Sequence, residues 1–315
     1  MSSIAFSVNL KYLFMAKKYK SFKIKEMTAS LGAEVVGLDI TSKLSKTKLN
    51  ELHQAWLEHQ VLFFRDQPLT PEQHVSFTKN FGELQGPGYM PTLEGFPNVY
   101  VQEYPDLYKG IVSDVDWHID ASFMKKPLKG AVLHALNVPA TGGDTAWVNL
   151  YKAYDLLSKP MQKLCSNLTA VHDNFYKNLT NVLDNYGAKG YEMARQATPP
   201  SVHPLVCKHP ETGKKCLFYS ELMVSHFNEL NDEENKVIKE FLVNHIKKPE
   251  LYCRFKWEND SVAFWDNRCT AHKGIFDFGQ EYRLMHRVAT VSDTHLRAHE
   301  TSLHLVCRLL LEKKK

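Results

Sequence analysis

The residues of this chain best suited to chemistry are His118 and Asp120, in the run Trp117-His118-Ile119-Asp120, together with His272 much further along. Two imidazoles and one carboxylate can occupy one face of a ferrous ion and leave three positions open. Open positions let a metal take up a co-substrate and oxygen instead of stapling the fold. On an extended strand residues i and i+2 point to the same side, so His118 and Asp120 would face one point while Ile119 faces away. Taken alone, His-x-Asp fits an ordinary surface strand equally well in a chain with 15 His and 35 acidic residues. Two arginines, Arg283 and Arg287, follow the second histidine and would share one face of a strand.

Such groups need a scaffold, and composition bounds it. The chain has 315 residues, 43% hydrophobic and 23% charged, the profile of a globular protein. One β-rich barrel with added helices can hold this length. No apolar run approaches the roughly 18 residues that cross a bilayer, so no membrane partner is expected. The formal charge of +4 is small and its basic residues are scattered, which gives nucleic-acid binding no support. Six cysteines without a CxxC pair argue against a disulfide framework or a zinc finger and fit a reducing, cytoplasmic compartment. A weak organellar presequence stays open for the first residues, and so does self-association into a homo-oligomer. Residues 1–25 read as an N-terminal extension and 26–291 as the working domain. Residues 292–315 resemble a translated sequencing adapter and are expected to be a non-native tail.

Periodicity places the elements. Leu49, Leu52, Trp56 and Leu57 recur at helical spacing over 45–60, and the apolar run Val61-Leu62-Phe63-Phe64 reads as a buried strand. Thr70-Pro71-Glu72-Gln73 combines a capping threonine, proline at the first helical position and a glutamine to close the cap, predicting a helix that stops at Gly82. Short strands are predicted at 98–102, 130–136, 144–148, 252–257, 261–265 and 282–290, with a hairpin turn at 258–260. A further helix follows Asn231 over 231–246. The polar stretch 173–200 lacks a clear period and reads either as a lid over the site or as a surface insertion. The fold class that results is mainly β (α+β): a double-stranded β-helix, or jelly roll, with flanking helices.

Four blocks then make a resemblance specific: Trp117 to Phe123, Thr141 to Trp147, Trp265 to His272, and Arg283-Leu284-Met285-His286-Arg287. In this order and at these intervals they resemble the taurine dioxygenase family of iron(II)- and 2-oxoglutarate-dependent oxygenases. The likeness runs from about residue 26 to 290 and includes Phe81-Gly82-Glu83-Leu84. It implies iron(II) on His118, Asp120 and His272, with Arg283 and the Thr145 hydroxyl on the far carboxylate of 2-oxoglutarate. Bidentate guanidinium–carboxylate pairing agrees with that role for Arg283. It further implies Arg287 on an anionic group of a small-molecule substrate, oxygen as the second co-substrate, and succinate and carbon dioxide as co-products.

The chain also departs from the family. Gln85-Gly86-Pro87-Gly88 stands where taurine-specific members carry a histidine, Asp114 replaces an asparagine, and Met223 an aromatic residue. Arg287, Asp114 and Met223 are therefore the candidate substrate residues, and taurine itself is not expected. The substrate class is a sulfonate, a sulfate ester or a carboxylate. Two other functions stay open at this point: a metal-dependent hydrolase on the same three ligands, and a non-catalytic binding protein of the same fold. His134, His172, His203 and His286 have no paired ligand pattern and are read as core or hydrogen-bonding residues.

Overall fold

The strand Val61–Phe64 shows how this sequence makes layers. Val61 and Phe63 enter one core, while Leu62 and Phe64 enter another. Side chains alternate across a strand, so an unbroken apolar run belongs to a strand covered on both faces.

The structure is a computed structural model that describes residues 19–86, 91–104, 116–177 and 179–291. Its elements begin with β1 (Lys23–Glu26), β2 (Ala33–Val36), α1 (Lys46–His59), β3 (Val61–Phe64), α2 (Pro71–Lys79), β4 (Thr92–Leu93), β5 (Phe96–Tyr104) and β6 (Leu128–Asn137). There follow β7 (Thr145–Asn149), α3 (Leu150–Asp155), α4 (Lys159–Cys165), β8 (Thr169–His172), α5 (Leu179–Ala197), β9 (Ser201–Pro204), β10 (Val206–Lys208) and β11 (Lys215–Leu217). The last are β12 (Val224–Phe227), α6 (Asp232–Ile246), β13 (Tyr252–Phe255), β14 (Val262–Asp266), β15 (Thr270–Gly274) and β16 (Arg283–Val291). The architecture is thus mixed and rich in sheet, with six α-helices among the described residues.

One sheet runs β1-β2-β3-β14-β6-β16-β5-β4, and β13-β7-β15 forms a smaller sheet. Phe63, Trp265 and Met285 from the first share a core with Trp147 and Phe255 from the second. On the opposite face of the large sheet, Leu62, Phe64, Val132 and Phe264 meet Leu52 and Trp56 of α1 and Phe77 of α2. Trp56 stacks on Phe264 with ring centroids 4.5 Å apart. Burying each such side chain contributes on the order of 1.5–3 kcal/mol. Gly130 lets Trp56 sit this close, because a Cβ there would lie 2.6 Å from its ring. A third core, containing Ala146, Val148 and Ala271, packs with Leu150, Leu242 and Ile246.

Helix starts match their chemistry. Ser45 caps α1, and reciprocal capping boxes open α2 (Thr70 and Gln73) and α6 (Asn231 and Glu234). Three expectations need correction. First, α2 ends at Lys79 rather than at Gly82, because the Asn80 side chain donates back to Ser76 O and Phe77 O and closes the helix early. Second, 258–260 is a turn but not a hairpin: β13 pairs with β7 in the small sheet, whereas β14 lies between β3 and β6 in the large one. The turn, with Asp260 at φ 60°, carries the chain from one sheet to the other. Third, 173–200 contains α5, broken at Gly187 (φ 66°, ψ 178°). Short strands β1, β2, β4, β8 to β12 and β15 escaped the sequence reading because each is only two to five residues long, too short to show a period. Residues 292–315 lie outside the described residues.

Candidate active site

Backbone pairing brings the two histidines together. His118 forms an isolated antiparallel bridge with His272, each N–H donating to the other's carbonyl at 2.9 and 2.8 Å. Directly opposed residues on a strand pair present side chains to the same face, and the two imidazole centroids lie 4.2 Å apart. Asp120 follows two residues later, in a turn rather than on the extended strand expected, and the turn still brings Oδ1 3.8 Å from His118 Nε2 and Oδ2 3.9 Å from His272 Nε2. The three candidate ligand atoms lie within 4.8 Å of one another.

Tautomer and charge suit a metal. His118 Nδ1 lies 3.0 Å from Asp116 O, an acceptor only, so Nδ1 carries the proton and Nε2 presents its lone pair. Burial pushes the His272 imidazole down to about 3, with the neighbouring His118 adding to the shift. It therefore stands neutral, as a ligand must. Burial alone would raise the Asp120 carboxyl, but the Arg287 guanidinium and the two histidines outweigh it and hold the group at about 2. Trp265 and Trp147 flank His272 at 4.9 and 6.3 Å between centroids and account for its desolvation. The donor set, two imidazoles and one carboxylate on adjoining elements, fits a ferrous ion with open positions.

The arginines come from β16. Arg283 and Arg287 share the inward face with Met285 and Ala289, and both are buried. Register places each opposite a tyrosine of β5, Arg283 against Tyr104 and Arg287 against Tyr100. The guanidinium carbons lie 5.8 and 5.4 Å from those ring centroids, within cation–π range. Arg287 Nη1 reaches Asp120 Oδ2 at 2.8 Å. Arg283 Nε is buried without a hydrogen-bond partner among the described residues, and burial lowers its proton affinity. An under-paired buried guanidinium is costly, and a carboxylate arriving there would satisfy it.

The turn before β7 passes beside Arg283 on a backbone that favours glycine. Gly142 and Gly143 take φ 78° and 69°, and a Cβ on Gly143 would lie 3.5 Å from Arg283 Nε. Thr145 Oγ1 accepts from Trp257 Nε1 at 3.0 Å, which leaves the hydroxyl proton for an anion.

Of the expected substrate residues, Arg287 is in the site. Met223 is buried in the turn after Ser220, beside the segment that carries His118 and Asp120, where Leu222 N donates to Trp117 O at 3.2 Å. Asp114 lies outside the described residues. His134, His172, His203 and His286 are all buried, and His172 Nδ1 pairs with Ser122 Oγ at 2.9 Å. Sequence reasoning missed Tyr100, Tyr104, Trp257 and Asn267, whose positions depend on cross-strand register and on folding over long separations.

Two arginines aimed beside a two-histidine, one-carboxylate cluster define an oxygenase-type metal enzyme, and the comparisons agree. Residues 23–289 match the family described as "Taurine catabolism dioxygenase TauD, TfdA family". An alkylsulfatase from Acinetobacter baylyi is 30% identical over 297 residues, covering 91% of this chain and 90% of that protein. An alpha-ketoglutarate-dependent sulfate ester dioxygenase from Pseudomonas putida is 29% identical, covering 86% and 89%. The solved structure of a taurine dioxygenase from Burkholderia xenovorans superposes with a TM-score of 0.74 at 33% identity, covering 87% and 92%. A structure of AAD-2 with Mn(II) and N-oxalylglycine gives 0.74 at 25% identity, covering 88% and 99%. The chain belongs to the TauD, TfdA family and is a 2-oxoglutarate-dependent dioxygenase that uses iron(II).

Proposed function

We propose that His118, Asp120 and His272 hold the iron, that Arg283 and Thr145 hold 2-oxoglutarate, and that Arg287 orients an anionic substrate. The two facing sheets serve as the jelly roll of this working domain, over about residues 26–291. The observation that carries the reading is Arg283: a buried guanidinium with an unpartnered Nε, on the same strand face as an arginine touching Asp120. Iron(II) and 2-oxoglutarate supply the oxidising chemistry when bound, with succinate and carbon dioxide as co-products. The protein's part is placement: a neutral His272, an ionised Asp120, two fixed cations, and tryptophans that keep water from the histidine.

The substrate class best supported is a sulfate ester, with sulfonates and carboxylates behind it. Arg287 fits an oxyanion head group, and relatives named for sulfate-ester substrates span most of the chain. Gln85-Gly86-Pro87-Gly88 stands where taurine-specific members carry a histidine, and the Gln85 Oε1 is buried without a partner among the described residues. Hydroxylation of the carbon bearing a sulfate ester gives a product that collapses to an aldehyde and free sulfate.

Anaerobic addition of Fe(II) and 2-oxoglutarate to the apoprotein should produce a weak visible charge-transfer band, lost in His118→Ala and Arg283→Ala. Well-folded protein with no band would overturn the assignment. A succinate-release screen across alkyl sulfates, sulfonates and carboxylates ranks the substrate classes, and preference for sulfonates would overturn the sulfate-ester choice.

A further inference from the structure

The histidines of the site have their backbones fixed by pairing with each other, but Asp120 lies past that bridge, in a turn. Its backbone is held by a side chain instead. Asp120 N–H donates to Asn267 Oδ1 at 2.9 Å, and Asn267 Nδ2 donates to Asp120 O at 2.9 Å. The same Nδ2 donates to Leu128 O at 3.1 Å, and the Asn267 backbone N–H to Lys129 O at 3.1 Å. Asn267 is fully buried. The residue after Asp120, Ala121, adopts φ 50°. A residue with a Cβ is disfavoured in that left-handed region, so the chain at Asp120 needs external restraint.

We propose that Asn267 is a positioning residue: its carboxamide takes the place of a strand partner for Asp120 and holds that carboxylate at the metal. This rests on the ligand assignment made above. The flanking residues keep the carboxamide still. Asp266 accepts from Arg268 Nε at 2.8 Å and from Arg268 Nη2 at 2.7 Å, closing a ring around Asn267. His209 Nε2 donates to Asp266 Oδ2 at 3.0 Å, while its Nδ1 accepts from the backbone N–H groups of Glu211 and Thr212. The buried group His209, Asp266 and Cys269 resembles a second metal cluster. Its imidazole and carboxylate atoms are already committed, so it acts as the footing of the Asn267 turn.

The structure contains a matched control. Asn235 clamps Phe227 in the same manner, its Oδ1 accepting from Phe227 N at 2.7 Å and its Nδ2 donating to Phe227 O at 3.1 Å, in a part of the fold that carries none of the proposed ligands. The test is a titration of the full-length apoprotein with Mn(II), read by the electron paramagnetic resonance signal of the free ion, beside thermal melts. Asn267→Ala is expected to weaken Mn(II) binding about ten- to a hundredfold, the usual effect of removing a partner that orients a metal ligand. Asn235→Ala is expected to lower the melting temperature while leaving Mn(II) affinity unchanged. Should Asn267→Ala fail to fold, Asn267→Asp keeps the acceptor for Asp120 N–H but loses the donors, and an intermediate loss of affinity is expected. Wild-type affinity in a folded Asn267 variant, or an equal loss in Asn235→Ala, would overturn the proposal. His118→Ala in the same titration separates the two levels: retained binding there overturns the ligand assignment, and the positioning role with it.

Discussion

Arg287 Nη1 lies 2.8 Å from Asp120 Oδ2, so the arginine proposed to orient substrate also touches the carboxylate proposed to hold iron. The pair is buried, and charges desolvated together depend on one another far more than exposed ones. On the proposed assignment, Arg287 would link the substrate site to the metal site.

Replacing Arg287 by Met should be felt at the metal. The arginine is the largest influence opposing burial at Asp120, and without it burial would raise the carboxyl from about 2. A metal ligand must be deprotonated. Mn(II) affinity measured at pH 7.5 and pH 5.5 should then fall more steeply with acid in Arg287→Met than in the parent; equal slopes would refute the coupling.

Arg283→Ala should raise the KM for 2-oxoglutarate about 30- to 1,000-fold, roughly 2–4 kcal/mol for a buried charge-assisted pair. Arg283→Lys should recover little of this, because an ammonium is a point charge without the planar fork. Succinate formation against 2-oxoglutarate concentration measures both; full recovery by lysine would count against bidentate binding.

Acid should weaken the fold through His74. Burial, with His134 beside it, pushes its imidazole down to about 3, and its Nε2 pairs with Val132 O at 3.1 Å. Below about pH 6.5 the unfolded chain takes up a proton that the folded state refuses until about pH 3. Stability is thus present above the unfolded value and declines as pH falls through that window, at up to about 1.4 kcal/mol per pH unit. Urea unfolding at pH 7 and pH 5 should show a smaller loss in His74→Gln than in the parent.

Gly142→Ala should destabilise the turn that leads into Thr145. Its φ of 78° disfavours a side chain, and the new Cβ would lie 2.6 Å from Asp277 Oδ1. A cost of about 2 kcal/mol is expected, lowering the melting temperature by about 4–8 °C. An unchanged melt would mean that the turn relaxes freely.

Much of this was written in local sequence. The caps at Ser45, Thr70 and Asn231 and the buried run Val61–Phe64 follow from near-neighbour chemistry that the fold leaves intact. The hairpin at 258–260 failed because turn residues encode a change of direction and not which sheet receives the next strand. Asn267 was visible inside Trp265-Asp266-Asn267-Arg268 but had no legible role, since its partner lies 147 positions away.

The sequence by itself determined which groups were available: two imidazoles, a carboxylate and two guanidiniums, the guanidiniums spaced to share a strand face. Tertiary structure decided that they meet. Backbone pairing of His118 with His272 closes the cluster, the β16–β5 register sets a tyrosine against each arginine, and burial settles the charges. Those effects arise from distances between segments far apart in the chain and from the water excluded between them, which no local pattern of residues records.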